Sequence, residues 1–271
     1  MTEVRIGVVG AAGRMGQMIV RQVTETAGCA VVAAADAPGH AAHGRDAGEV
    51  AGIGTLGVAI GESARAVFAA ADAVIEFSVP AATVANARLA AELGKVHVIG
   101  TTGFTADDEA ALRAAADRAV IVRSPNMSLA VNILFALAKR VAGLLDDEFD
   151  VEVVEMHHRH KVDAPSGTAL GLGRSIAAGR GVELGTVGRY AREGQTGARP
   201  RGESGFATLR GGDVVGDHTV IFAADGERLE LTHKASSRQI FARGAVRAAL
   251  WAKGRPPGLY TMADVLGLGD G

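Results

Sequence analysis

The sequence contains a single cysteine, Cys29. One thiol excludes an intramolecular disulfide framework and a zinc site built on cysteine pairs, and it suits a reducing compartment. Aromatic residues make up only 4% of the chain, with one tryptophan, so small and aliphatic side chains must fill the core. Neither sign of charge dominates. The formal net charge is −2, which gives no basic footprint for nucleic acid. Long apolar runs are also missing. The longest, Leu129 to Leu145, is interrupted by Asn132, Lys139 and Arg140 and reads as a partly buried helix rather than a membrane span. Met1-Thr2-Glu3 leads at once into an apolar strand, with no basic region or cleavage site before it. No signal peptide is expected, and the expected location is the cytoplasm.

What is present is alanine, glycine and alternating structure. The 271 residues are 48% hydrophobic, enough for one large α/β domain or two smaller ones. Val4 to Val9, Ala30 to Ala35, Ala73 to Phe77, Val96 to Ile99 and Ala119 to Val122 read as short strands. Helical spacing lies between them, at Gln17 to Thr26 and at Ala106 to Ala116. Strands alternating with helices predict a Rossmann-type, doubly wound parallel sheet. The pattern then changes. Phe149 to Met156 sets Asp150, Glu152 and Glu155 among valines, as in a half-exposed strand. Gly205 to Leu209, His218 to Ala223 and Arg228 to His233 are further strands, the last two joined at Ala224-Asp225-Gly226-Glu227 by a hairpin. This part predicts a second α+β domain with a mostly antiparallel sheet. Glu183 to Glu203, rich in Gly and Arg, reads as a long mobile loop. The fold class is therefore α/β in two domains. Residues 1–128 and 239–271 are expected to bind a dinucleotide, and residues 129–238 to bind substrate and oligomerise.

Gly10-Ala11-Ala12-Gly13-Arg14-Met15-Gly16 follows the first strand and opens the first helix. Glycines there allow a tight turn and let backbone approach a pyrophosphate, to which the helix N-terminus offers N–H groups. Asp36, at the end of the second strand, lies twenty positions beyond Gly16, where a carboxylate can accept from adenosine ribose hydroxyls. Ala12 stands where the common pattern has its middle glycine. The bland alternative is a strand–helix turn that binds nothing.

His157-His158-Arg159-His160-Lys161 follows the strand that ends at Met156, and Pro165-Ser166-Gly167-Thr168 leads into a helix. Five consecutive polar, mostly basic residues suit an anion site with proton donors. Histidine exchanges a proton near neutral pH, lysine can donate one or fix a carboxylate, and Gly167 and Thr168 can present backbone N–H groups to a second carboxylate. Two bland readings compete with this one. The first is a solvated basic turn. The second is metal ligation by the three histidines, but no cysteine or close carboxylate completes a metal set, so no metal is expected.

The run from Glu155 to Leu170, EMHHRHKVDAPSGTAL, resembles the signature of the dihydrodipicolinate reductases, also called 4-hydroxy-tetrahydrodipicolinate reductases. The resemblance spans nearly the whole chain. It takes in Gly10 to Gly16, Phe77-Ser78-Val79-Pro80, Gly100-Thr101-Thr102-Gly103, Ser124-Pro125-Asn126-Met127-Ser128, Gly212 to Thr219 and His233 to Arg238. It implies reduction of a cyclic, unsaturated 2,6-dicarboxylate with NADH or NADPH. By the same resemblance, His157 exchanges a proton, Lys161 donates one, and His158, Gly167 and Thr168 bind the dicarboxylate. Gly10, Ala11, Ala12, Gly13, Arg14, Met15 and Asp36 would hold the dinucleotide. Gly100, Thr101 and Thr102, with Ser124, Pro125, Asn126 and Met127, would line its nicotinamide side. A homotetramer built through the second domain's sheet is implied as well. One departure bears on cofactor choice. Many members carry an arginine after the acidic residue of the second strand, which can hold the 2′-phosphate of NADPH. Here Ala37-Pro38 follows Asp36, leaving Arg14 as the nearby cation, so the expected preference leans to NADH.

Three rivals share parts of this pattern. A phosphorylating semialdehyde dehydrogenase needs a thiol nucleophile, and Cys29 lies between the first helix and the second strand, at the wrong end of that unit for catalysis. A sugar or inositol dehydrogenase is compatible with the fold alone, but its Glu-Lys-Pro element is absent. A redox sensor that only binds the dinucleotide would not need the His157 to Lys161 cluster beside Gly167 and Thr168.

Overall fold

Short runs of valine, isoleucine and alanine form strands covered on both faces, as a parallel sheet requires. The computed structural model describes residues 3–269; the expected start at Met1-Thr2 and the last two residues of the first expected domain lie outside the described residues. The chain divides into two compact units. One ends at Leu129 and resumes at Gln239, and the other is Ala130–Arg238.

In the first unit, β1 (Val4–Val9), α1 (Arg14–Glu25), β2 (Cys29–Ala35), α2 (Ala47–Ala51), β3 (Ile60–Gly61), α3 (Ala64–Ala70), β4 (Ala73–Glu76), α4 (Pro80–Leu93), β5 (Val96–Ile99), α5 (Ala106–Ala116) and β6 (Val120–Arg123) alternate. The strands order as β12-β6-β5-β4-β1-β2-β3, where β12 is Gly258–Tyr260. All six pairings are parallel. The order reverses between β1 and β4, the switch point beyond which doubly wound sheets bind ligands. Alternation along the strands supplies two cores. Ile6, Val8, Ile75 and Val98 pack with Ile19 and Val23 of α1 and with Ala245 and Val246 of α9 (Gln239–Ala252). Val74, Ile99 and Ile121 pack with Phe68, Ala87 and Leu112 on the other face. Helix α5 begins where Thr105 and Asp108 form a reciprocal capping box, which satisfies two N–H groups at its start. The last element among the described residues is α10 (Met262–Leu266).

Helix α6 (Leu129–Leu144) leads into the second unit. There β7 (Asp150–His157), α7 (Gly167–Arg180), α8 (Leu184–Val187), β8 (Gly188–Arg189), β9 (Ser204–Arg210), β10 (Gly216–Ala224) and β11 (Glu227–Ala235) follow. The sheet order is β11-β10-β7-β9-β8. Val151, Val153, Phe206, Val220 and Phe222 form its covered face, against Leu134 and Ala138 of α6 and Leu172 and Ile176 of α7. The expected hairpin joins β10 to β11, with Ala224 opposite Glu227 and Gly226 at φ 88°, a conformation open to glycine.

Two expectations need adjustment. The second sheet is antiparallel over most of its paired residues, as expected, but it is not wholly so and is mixed. β11, β10 and β7 are antiparallel neighbours, but β9 joins β7, and β8 joins β9, in parallel. A long connection through α7 separates β7 from β9, and such a crossover is what a parallel pair needs. Nor is Glu183 to Glu203 structureless. It contains α8 and β8, and its arginines are tied down. Arg199 bonds Glu152, Asp150, and the Val151 and Glu203 carbonyls, and Arg192 bonds Glu152 and Glu203. No helix among the described residues is long and apolar enough to cross a membrane.

Candidate active site

The loops at the carboxyl ends of the parallel strands hold every residue expected to contact a dinucleotide. Gly10 to Met15 follow β1, Asp36 follows β2, Gly100 to Thr102 follow β5, and Ser124 to Met127 follow β6. Gly10 has φ 75°. A Cβ on Gly16 would stand 2.0 Å from the Gly10 carbonyl oxygen and 2.7 Å from the Ala11 Cα, so only glycine lets α1 approach the loop this closely. Gly13 caps α1 without a side-chain bond, and the first-turn N–H groups of Arg14 and Met15 have no intrahelical acceptor. Asp36 Oδ2 accepts from the Ala12 N–H at 2.8 Å and Oδ1 from the Ala37 N–H at 2.8 Å, which fixes the carboxylate beside the loop. These residues fit a nicotinamide dinucleotide, with donors for a pyrophosphate and a carboxylate placed for ribose hydroxyls.

Beneath the later loops lies a polar network that the sequence reading absorbed into an apolar run. Glu76, fully buried at the end of β4, accepts from Asn86 Nδ2 at 2.6 Å. His97 Nε2 lies 3.1 Å from its other oxygen. Burial pushes the Glu76 carboxyl up, and His97 and its hydrogen-bond partners outweigh burial to hold it below the usual range. Thr101 is buried, and its hydroxyl oxygen accepts from the Ser78 N–H at 3.0 Å and the Thr83 hydroxyl at 2.9 Å. That hydroxyl secures the loop, whereas Thr102 and Pro125 are exposed. Asn126 Oδ1 accepts from the Ser128 N–H at 2.8 Å, and Ser124 and Met127 are buried. Cys29 sits at the opposite, amino end of β2; burial pushes its thiol up, away from nucleophilic use.

In the second unit β7 delivers His157 at its end. The strand's exit is pinned by the His158 N–H to the Val214 carbonyl at 2.7 Å and the Gly211 N–H to the His157 carbonyl at 2.9 Å. A tight turn follows, with the Lys161 N–H on the His158 carbonyl at 3.1 Å. Lys161 Nζ donates to Asp163 Oδ1 at 2.7 Å. Arg238 donates to His158 Nε2 at 3.3 Å, and His158 Nδ1 is buried without a partner among the described residues. Ser166 caps α7 by accepting from the Ala169 N–H. Gly167 is exposed, and a Cβ built on it would meet nothing within 4 Å. Thr168 follows in the same turn.

The structure also supplies residues that sequence reasoning missed. Glu155, grouped there with solvent-facing Asp150 and Glu152, is 1% exposed. It shares the inward face of β7 with Val151, Val153 and His157, and strict period-two counting from Val151 would have placed it there. Its carboxylate meets His157 Nδ1 at 2.5 Å, so a carboxylate does stand beside the histidines. It is engaged by Arg210, and no group of three or more His, Cys, Asp or Glu among the described residues could hold a metal ion. Burial pushes His157 down; Glu155 opposes this only in part, and Lys161 and Arg210 push the same way as burial.

His218 on β10 completes the cluster. Its ring stands edge-on to His157 with centroids 5.1 Å apart, and its Nε2 lies 3.0 Å from Ser166 Oγ. Burial first, then the neighbouring His157, pushes His218 down to about 3. The unfolded chain therefore binds a proton that the folded chain refuses between about pH 6.5 and the folded value. Stability contributed by neutral His218 is present above the unfolded pKa and is lost as pH falls. His218→Gln should flatten the acid limb of stability between pH 7 and 5, measured by urea unfolding. An acid limb as steep as wild type would show that His218 is not its source.

Comparison with known proteins agrees with both halves of this description. The family model for the dihydrodipicolinate reductase N-terminus matches residues 4–127, and that for the dihydrodipicolinate reductase C-terminus matches residues 130–266. A 4-hydroxy-tetrahydrodipicolinate reductase of Rhodopseudomonas palustris (strain BisA53) is 56% identical over 270 residues, covering 100% of this chain and 99% of the relative. One from Ruegeria pomeroyi is 58% identical over 263 residues, covering 97% and 98%. The solved structure of a dipicolinate-bound dihydrodipicolinate reductase from Paenisporosarcina sp. TG-14 superposes with a TM-score of 0.72 at 23% identity, covering 97% of this chain and 99% of that one, a likeness of fold. With both family models matched and relatives of this identity along its whole length, the chain belongs to the dihydrodipicolinate reductase family.

Proposed function

We propose that this chain reduces 4-hydroxy-tetrahydrodipicolinate to tetrahydrodipicolinate in lysine and diaminopimelate biosynthesis. The observation that carries the reading is the cluster at the end of β7. Two proton-bearing side chains, His157 and Lys161, stand within a few residues of His158 and the exposed Gly167 at the start of α7. A cyclic dicarboxylate presents two anionic groups and a ring that must gain a hydride and a proton while water leaves. His158, carried by Arg238, and the α7 start at Gly167 and Thr168 bind the carboxylates, the latter because a helix N-terminus attracts anions. Lys161, oriented by Asp163, donates the proton, and His157 donates or accepts at its ring nitrogen. The hydride would come from a reduced nicotinamide when one is bound. Residues 129–238 serve as the substrate and oligomerisation domain, and the remainder as the dinucleotide domain. A homotetramer forms through the second sheet, whose edge strand β11 leaves Leu229 exposed. The test is nicotinamide absorbance followed with freshly generated substrate. Substrate-dependent oxidation is expected; no oxidation above the rate without substrate would overturn the reading.

The preferred nucleotide on this reading is NADH, with measurable NADPH activity. Asp36 is held by two backbone N–H groups where the ribose would lie, and a carboxylate there repels a 2′-phosphate. Ala37 adds no positive charge, and Arg14 is exposed, where an ion pair is worth at most about 1 kcal/mol. Ala37→Arg should raise the NADPH-to-NADH ratio of kcat/KM about fivefold, since that is what 1 kcal/mol supplies and a guanidinium can grip phosphate through two bonds. A wild type that strongly prefers NADPH, or a variant with an unchanged ratio, would refute the assignment.

A further inference from the structure

Which nitrogen of a histidine carries the proton is decided by what the other nitrogen touches. On β7, Glu155 and His157 are two residues apart and project to the same buried face. The Glu155 carboxylate meets His157 Nδ1 at 2.5 Å through Oε2. The same carboxylate accepts both terminal nitrogens of Arg210, at 2.8 Å on Oε2 and 3.0 Å on Oε1. It also accepts the Ser166 N–H at 3.0 Å, and the Thr208 hydroxyl lies 3.4 Å from Oε1. The parallel register sets this up by placing Thr208 opposite Glu155 and Arg210 opposite His157. Arg210 reaches further, to the Asp163 carbonyl at 2.7 Å, and Asp163 holds Lys161. One buried carboxylate thus meets His157 directly and reaches Asp163, the partner of Lys161, through Arg210.

We propose that Glu155 is the positioning residue of the active site: an ionised carboxylate, locked by Arg210 and the Ser166 N–H, that holds the His157 proton on Nδ1 and reserves Nε2 for proton exchange. The inference rests on the reductase reading above. Ionisation follows from the donors. Two guanidinium N–H groups and a backbone N–H already point at the two oxygens, so a protonated carboxyl would lose an acceptor and leave the Arg210 charge unbalanced. Burial pushes the carboxyl up, but Arg210, His157 and Ser166 hold it below the usual range. The groups facing His157 are Glu155 on its own strand, Arg210 on β9 and Lys161 in the following turn, with the His218 ring on β10 edge-on to it; His233 on β11 acts on His218. Among them Glu155 alone favours the imidazolium, while burial, Lys161 and Arg210 oppose it.

Glu155→Gln separates positioning from packing. The glutamine oxygen is best satisfied in the Oε1 place, where Arg210 and the Ser166 N–H both donate, which leaves its NH2 facing Nδ1 and favours the opposite tautomer. Expected results are a kcat lower by about tenfold or more, within the range for a misplaced proton-transfer group, and a His157 limb of the pH–rate profile moved about one unit toward acid. NADH affinity should stay within about twofold, within the scatter of an unchanged binding free energy. Independently, 15N spectra of histidine-labelled wild type, assigned against His157→Gln, should show His157 protonated on Nδ1 at neutral pH. The wild-type spectrum decides the tautomer even if the variant does not fold. A His157 protonated on Nε2 in wild type would overturn the proposal, as would a variant with wild-type kcat and pH profile. A wild type inert toward the cyclic substrate would overturn the reductase reading instead and leave the tautomer result standing.

Discussion

His157→Ala and Lys161→Ala should each lower kcat by about a hundredfold or more, the scale of losing a positioned proton donor or acceptor, while NADH binding survives. The two variants should differ in stability. Lys161 pairs with Asp163, whose side chain is 57% exposed, and a pair so open to solvent contributes at most about 1 kcal/mol. Removing Lys161 should therefore cost activity at nearly constant melting temperature. His157 is buried between Glu155 and His218, so its removal opens a polar cavity and should lower the melting temperature as well. NADH fluorescence measures the binding and thermal unfolding the stability. Retention of near-wild-type turnover by either variant would remove that residue from the proton pathway.

Gly16→Ala should abolish detectable dinucleotide binding and destabilise the first unit. A single methyl group at this position would sit 2.0 Å from the Gly10 carbonyl and 2.8 Å from the Ala11 carbonyl carbon. Both obstacles are backbone, so no side chain can swing aside. Either α1 moves away from the end of β1 or the loop opens, and in both cases the N–H groups proposed to receive the pyrophosphate leave their positions. Overpacking of this kind costs about 1–3 kcal/mol, occasionally more. Gly185→Ala is the control. Gly185 lies in α8 with nothing within 4 Å of an added Cβ, and alanine favours helix. Its stability should change by no more than about 0.5 kcal/mol. Calorimetry with NADH and urea unfolding on both variants make the comparison. A Gly16→Ala protein that binds NADH like wild type would show that the loop is not the dinucleotide cradle.

Much of the first unit was legible because its signals are local. Strand β1 and helix α5 occupy the residues expected, since an apolar run broken only by Arg5 and a capping box lie within or beside the elements themselves. The two-residue hairpin Asp225-Gly226 was readable for the same reason. The histidine cluster and the glycine loop are likewise contiguous, so the chemistry they suggest could be argued without coordinates. Strands β3 and β12 were not readable. They are two and three residues long, too short to show a period, and exist because β2 and β6 offer open edges to pair with.

The sequence by itself determined that a glycine turn precedes a helix, that a carboxylate ends the second strand, and that His157, His158 and Lys161 stand together before a helix that starts near Gly167 and Thr168. Only the tertiary structure decided that Glu155 faces inward and that Arg210, 55 positions later, closes on it. The physical reason is that a carboxylate's charge and orientation depend on partners brought by other strands. β9 had first to join β7 in parallel, in a register that sets Arg210 opposite His157. A composition that places an acid among valines is equally consistent with a solvated strand edge, and the donors that make burial tolerable lie far along the chain.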